Sequence, residues 1–370
     1  MEMKIILNDR NQAISSSSCK GGLFEVDVHS SPSQQPVIQS RPLAALFILI
    51  FGTLALGLTA AISICVGAAD TSLSTVWDAL FHFNTDLTPH QIIRELRIPR
   101  VLAAALTGAA FATAGAIMQG MTRNPLADSG LLGINAGAGV LLAVCFAFFP
   151  GMSFVNLMFF SFFGAAAAAG LVFGTGAFVK GGLTPVRLVL AGAAVTALLL
   201  AISDAIAIHY QVGRELAFWL AGGMSGVEWA QIRIIWPWVL GSIVVAIMIS
   251  RSITLLSLGE DIAIGLGQRT GLIKLIATIL VLILAGASVS VVGAVGFVGL
   301  IIPHIARYLV GVDYRWIIPC SAVLGSLLLI VADIGARLFN PYSETPLGAL
   351  IAVIGVPFFL YLAINERREL

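Results

Sequence analysis

Long uncharged apolar runs separated by short polar turns repeat along this chain from about residue 43 to residue 366. A helix that crosses the hydrocarbon core of a bilayer needs about 20 apolar residues. Leu43 to Ala69 supplies a first span, and Val101 to Thr122 supplies most of a second at about 99–121. The NPLAD turn at 124–128 leads into a third at about 130–149, and Pro150-Gly151 turns the chain into a fourth at about 153–179. Lys180-Gly-Gly-Leu-Thr-Pro breaks the pattern before a fifth at about 187–209, and a sixth is expected at about 234–250. Leu275 to Pro303 is uncharged and too long for one span, so the turn at Gly293, Gly296 and Gly299 divides a seventh from an eighth that ends near Val310. A ninth at about 316–336 and a tenth at about 346–364 complete the series.

The segments between the spans differ in kind. Residues 1–42 are polar, with the serine run Ser15 to Ser18, and contain too little apolar material to build a core; a mostly disordered tail is expected there. The first apolar run starts too late and runs too long for a signal-peptide core, which makes it an uncleaved span. Residues 70–96 read as an amphipathic connector carrying Trp77. The stretch 213–233, with Trp219 and Trp229, suits a single interfacial helix. A polar segment occupies 258–274, and residues 367–370 form a charged tail. The expected organisation is one ten-span domain over 43–366 between two polar ends.

Composition agrees: 58% of the residues are hydrophobic and 11% charged, with mean hydropathy +0.99. Soluble domains average about 45–50% apolar and about 25% charged. The fold class is therefore all-α, a polytopic membrane protein of about ten transmembrane helices. With the N- and C-termini both inside, most lysines and arginines fall on the inner side, as the positive-inside rule requires. Only Arg94, Arg97, Arg100, Arg214, Arg233 and Arg337 of the 20 basic residues then lie outside.

Several function classes drop out. A net charge of +1 gives no reason to expect nucleic acid as a partner. The four cysteines (Cys19, Cys65, Cys145, Cys320) are scattered, with no CxxC or Cys/His cluster, so no metal site is indicated. None of the lysines (Lys4, Lys20, Lys180, Lys274) follows a glycine in a GxxxxGK[ST] phosphate loop, so any ATPase is another chain. The five histidines form no HExxH, no GxSxG occurs, and His304 has a membrane-edge context; no catalytic site and no enzyme activity are expected. Ionisable residues inside spans mark transport pathways. Asp333 stands four residues before Arg337 and can pair with it on a helix. Asp204 is the lone carboxylate, read either as a pathway residue or as a satisfied polar group near the outer boundary.

Eight stretches in order carry a family resemblance: RIPR (97–100), GAIMQGMTRNPLADSGLLGINAGAG (115–139), RLVLAG (187–192), FWLAGGMSG (218–226), LGEDIAIGLG (258–267), GFVGLIIPHIARYLVG (296–311), ADIGAR (332–337) and PLGALIAVIGVPFFLYL (346–362). Across about 43–366 the chain resembles the FecCD-type permeases of ABC importers for iron–siderophore complexes and cobalamin. The resemblance implies ten spans per subunit and a second permease subunit, identical or paralogous, around a central path. It also implies two copies of a separate ATPase, which bind the ATP and magnesium, an extracytoplasmic substrate-binding protein, and a place in the bacterial cytoplasmic membrane. No cofactor is implied for this chain.

By the same resemblance, Arg97, Arg100 and Arg337 receive acidic residues of the binding protein. Leu258, Gly259, Glu260, Asp261, Ile262, Ala263, Gly265, Leu266 and Gly267 form the segment that seats in the ATPase. Glu260 and Asp261 start that short helix, where negative charge complements its dipole, and Gly265 and Gly267 end it. Asn124, Pro125 and Leu126, with Thr184, Pro185 and Val186, match the cytoplasmic gate. Cobalamin-type gates carry small hydroxyl residues where this chain has Pro185 and Val186. The leading expectation is import of iron(III)–siderophore complexes, hydroxamates included. The alternatives are haem or cobalamin import, a proton-coupled carrier using Asp204, and a membrane scaffold without transport.

Overall fold

A computed structural model describes residues 40–66, 72–177, 185–224, 226–339 and 345–366. The polar tail at 1–39, Thr184 and the end at 367–370 lie outside the described residues. The structure is helical: α1 (Pro42–Cys65), α2 (Leu73–Phe81), α3 (Thr88–Gln91), α4 (Ile98–Thr122), α5 (Ile134–Phe148), α6 (Phe154–Ala177), α7 (Pro185–His209) and α8 (Gly213–Leu220), then α9 (Trp229–Met248), α10 (Ser250–Leu258), α11 (Glu260–Gly265), α12 (Thr270–Val292), α13 (Val298–Val310), α14 (Tyr314–Phe339) and α15 (Leu347–Glu366). Among the described residues, seven helices are long and apolar enough to cross a membrane. Three shorter apolar helices, Ile134–Phe148, Val298–Val310 and Leu347–Leu362, stand where the third, eighth and tenth spans are expected.

Two boundaries differ from expectation. The stretch 213–233 is not one interfacial helix: α8 ends at Leu220, and the sixth span already begins at Trp229. Glu228 and Gln231 explain the early start, since their side chains satisfy each other's backbone N–H groups in a capping box. The second span is also longer than 99–121, because a continuous helical run extends from Thr88 to Thr122. Pro99 interrupts its register. Without an N–H, and with its ring against the carbonyl four residues back, Pro99 is preceded by a π-helical stretch at Ile92–Arg97.

Helix α4 is the axis of the bundle. Nearly every residue from Ala109 to Gly120 is buried, against α14, α12, α13 and α9. Small residues make this possible. A methyl added to Gly108 would fall 2.3 Å from the Gly325 carbonyl oxygen of α14, and one added to Gly325 would fall equally close to that of Gly108. Near the other end, Gly115 lies against the Gly299 backbone of α13 with no room for a side chain. Backbone-to-backbone packing of this kind recovers dispersion contacts that lipid cannot supply.

Helix α1 is the opposite case: Leu43, Phe47, Phe51, Leu54 and Leu58 all point outward. Its start is pinned by a hydrogen bond from the Arg41 amide to the Val310 carbonyl at 2.9 Å. Between α12 and α13 the chain is irregular over 293–297, with Gly293 and Phe297 both at positive φ. The Gly223 amide bonds the Val292 carbonyl, and the Leu347 amide bonds the Gly222 carbonyl, both at 3.0 Å. Residues of these segments line an open cleft with Phe154, Phe218 and Trp219, among them Gly222, Gly293 and Pro346.

Candidate functional site

Two of the three arginines picked out by the sequence, Arg100 and Arg337, come together on one aspartate. Arg100 Nε and Nη2 donate to Asp333 Oδ1 at 2.9 Å, and Arg337 Nη2 reaches Asp333 Oδ2 at 3.0 Å, so the i,i+4 pair expected within α14 forms. The Asp333 side chain is only 2% exposed. Arg97 turns elsewhere: Nη1 donates to the carbonyls of Ile64 and Cys65. Arg337 Nη1 likewise donates to the carbonyls of Ser63 and Val66, at 2.9 and 2.6 Å. The last carbonyls of a helix have no partner within it and attract cations. Arg97 and Arg337 satisfy that need for α1.

Burial separates the three. Arg97 is buried, the Arg337 side chain is 13% exposed, and that of Arg100 is 21% exposed. Arg100 and the edge of Arg337 are therefore the accessible part of this cluster. Arg94 lies close by and is exposed; its guanidinium sits 4.4 Å from the Phe83 ring, and its carbonyl accepts from Trp229 Nε1 at 2.9 Å.

At the other end of α4, the segment from Leu258 to Gly267 forms a compact corner. Leu258 ends α10, Gly259 has φ 137°, and α11 follows with Glu260 and Asp261 in its first turn. Gly267 ends it in a Schellman arrangement: its amide bonds the Ile264 carbonyl at 2.8 Å, and the Gln268 amide bonds that of Ala263 at 2.9 Å. Gly267 has φ +80°, whereas Gly265 is an ordinary helical residue with open space around it, so the expected part of Gly265 in ending the helix is corrected. Ala263 is buried while Ile262, Ile264 and Leu266 are all more than half exposed. Glu260 pairs with Lys274 at 2.6 Å, and that hydrogen bond holds its carboxyl below the ordinary value. The result is an anchored helix with an apolar outer face.

The turn at Asn124–Leu126 lies next to this corner. Arg123 adopts φ +53°, and Asn124 Oδ1 accepts from the Leu126 amide at 2.9 Å in an Asx turn. Pro125 sits within it. Of the residues paired with this turn in the gate expectation, Thr184 is outside the described residues, and Pro185 and Val186 open α7. Beyond the turn, Asp128 is half-buried and accepts from the Ser129 amide at 2.7 Å. Its burial pushes the carboxyl upward, against the hydrogen bonds from Ser129 and Gly130. A methyl on Gly299 would fall 2.6 Å from Asp128 Oδ1, so the loop after α4 folds back to the first turn of α13.

Sequence reasoning missed a buried polar chain beside this loop. Gln119 Nε2 donates to the Gly299 and Leu300 carbonyls at 3.3 and 3.2 Å, and its Oε1 accepts from Arg307 Nη2 at 3.3 Å. The same Arg307 nitrogen donates to the Tyr314 hydroxyl at 2.8 Å. Gln119 standing alone in an otherwise apolar run is the signal that could have found it. Asp204, in contrast, is exposed on α7 and has no hydrogen bond or ion pair within the described residues.

Residues 54–365 match the FecCD transport family. The chain is 54% identical over 331 residues to the iron(3+)-hydroxamate import system permease protein FhuB of Bacillus subtilis, covering 90% of this chain and 86% of that one. It is 41% identical over 322 residues to the iron-uptake system permease protein FeuB of the same organism, covering 87% and 96%. A solved metal-chelate type ABC transporter in an inward-facing conformation superposes with TM-score 0.75 at 28% identity, over 86% of this chain and 99% of that one. Ten apolar helices among the described residues, in the expected order, and a family match over residues 54–365 lead to one conclusion: the chain belongs to the FecCD transport family.

Proposed function

We propose that this chain is the permease subunit of an ABC importer that brings iron(III)–hydroxamate complexes across the bacterial cytoplasmic membrane. The observation that carries the substrate class is the 54% identity, over nine-tenths of the chain, to a permease named for iron(3+)-hydroxamate import. In this reading the N- and C-termini are cytoplasmic. The Arg100–Asp333–Arg337 cluster faces outward to acidic residues of an extracytoplasmic binding protein. The exposed apolar face of α11, Ile262, Ile264 and Leu266, seats in one of two ATP-binding subunits, which hold ATP and magnesium. A second permease subunit, identical or paralogous, completes the path. The turn at 124–126 and the start of α7 form the inner gate.

The buried chain from Gln119 through Arg307 to Tyr314 lies between the gate loop and α13, where it can couple movement of one to the other. The deciding experiment is uptake of a radioactive iron(III)–hydroxamate into proteoliposomes holding the complete importer. ATP-dependent uptake supports the proposal. Robust uptake without ATP under an imposed proton gradient would refute it in favour of a proton-coupled carrier.

A further inference from the structure

Helices α1 and α7 are both mostly exposed, yet they expose different chemistry. The outward residues of α1 are large and apolar, as suits lipid. The outward face of α7 mixes large apolar residues (Leu190, Leu198, Ile202, Ile208) with alanines (Ala193, Ala194, Ala197, Ala201, Ala205), and among them it carries the carboxylate of Asp204. A charge within a span is costly against lipid and faces protein or water. Its depth is fixed by the neighbouring residue: a methyl on Gly139 would lie 3.6 Å from both Ser203 Oγ and Leu220 Cδ1. Leu220 leads directly into 221–223, which helps form the cleft of Trp219, Gly222 and Gly293. Asp204 thus sits at the level of that cleft, whose lining carries no charged residue. The next charged residues along the chain, Arg214 and Glu215, are of opposite sign and lie in α8.

We infer that Asp204 faces the water-filled path and sets the charge class of chelate that the permease passes, an inference that rests on the importer reading above. Three hydroxamates neutralise iron(III), so a tris-hydroxamate complex is uncharged, and one bearing a free ammonium is a cation. Three catecholates leave a trianion, and citrate chelates are also anionic. A fixed carboxylate in the path admits the first two and repels the others.

The test uses the complete importer in proteoliposomes, with the binding protein preloaded with chelate so that capture does not enter the comparison. Two chelates are compared: an uncharged iron(III) tris-hydroxamate and its analogue with one added ammonium. Asp204→Asn should lower the ratio of cationic to uncharged uptake about fivefold, the factor for one unit charge about 8 Å away at an effective dielectric near 40. Asp204→Lys should lower it further, and Asp204→Glu should restore it. Separately, Asp204→Cys in the assembled importer should react with a cationic, membrane-impermeant methanethiosulfonate, the parent chain serving as blank. An unchanged ratio in both the Asn and Lys variants, or an unreactive thiol in the Asp204→Cys variant, overturns the inference. Absence of ATP-dependent uptake of either chelate by the unsubstituted importer fails the function proposal instead, and the labelling then still decides whether this position faces water.

Discussion

Reversing the charge of Arg97 should unfold the permease rather than undock its partner. Arg97 is buried, and its guanidinium caps the carbonyls of Ile64 and Cys65. Arg97→Glu removes two charge-assisted hydrogen bonds, at about 1.5–3 kcal/mol each. It also leaves a buried carboxylate facing carbonyl oxygens, at about 3–5 kcal/mol for an uncompensated charge. Together these reach about 6–11 kcal/mol, against a net stability of about 5–15 kcal/mol for a typical domain. Arg100→Ala is different: Asp333 keeps Arg337 at 3.0 Å, so the fold retains a paired carboxylate. Losing one guanidinium–carboxylate contact to the binding protein should weaken docking about 10–100-fold. The assay pairs binding-protein affinity in nanodiscs with yield and Tm in detergent. Arg97→Glu should fail on yield and Tm, and Arg100→Ala should lose affinity at near-normal Tm. An Arg97→Glu protein with normal Tm and docking as weak as that of Arg100→Ala would refute this division of labour.

Gly108→Val should prevent accumulation of folded protein, because its side chain meets the Gly325 backbone at 2.3 Å, whereas Gly170→Ala, with open space, should hold or raise Tm; detergent-extracted yield and Tm separate them. Gly267→Ala should lower uptake per ATP hydrolysed by straining the turn after α11, while Gly265→Ala should leave that ratio alone. Burial raises the Asp313 carboxyl, but its bonds from Arg315 and Thr254 more than offset this and hold it below its ordinary value. A depressed folded value means that Asp313 adds stability above the unfolded pKa of ~4, lost as pH falls through the folded value. Asp313→Asn should therefore flatten the acid limb of a Tm–pH series.

The spans were legible because a bilayer imposes a length that an apolar run either meets or fails. Pairing between helices was not: nothing in Gly108 or Gly115 names Gly325 or Gly299, 180 residues or more away, as the backbones they touch. The early start of α9 was readable from Glu228 and Gln231, but Trp229 and Arg233 carry the stronger signature of an interfacial segment. The RIPR and ADIGAR motifs located the arginines without revealing that two of them cap α1, since orphan carbonyls leave no mark in a sequence. Asp333 and Arg337 four residues apart were a local signal, and local signals survived best. In the segment 258–267 the helix and its acidic start were foreseen, while a positive φ at Gly267 and not at Gly265 could be known only from the fold.

The central position of α4 also sets a timetable for biosynthesis. Arg100 and Asp333 are 233 residues apart, and the glycine contacts of α4 with α13 and α14 span similar distances. At about 5–20 residues per second, tens of seconds separate insertion of α4 from synthesis of the helices that enclose it. Through that interval a helix built of alanine and glycine, with arginines at one end, waits in the membrane without its neighbours. Premature degradation of C-terminally truncated chains follows, with α4 as the segment that quality-control proteases meet uncovered.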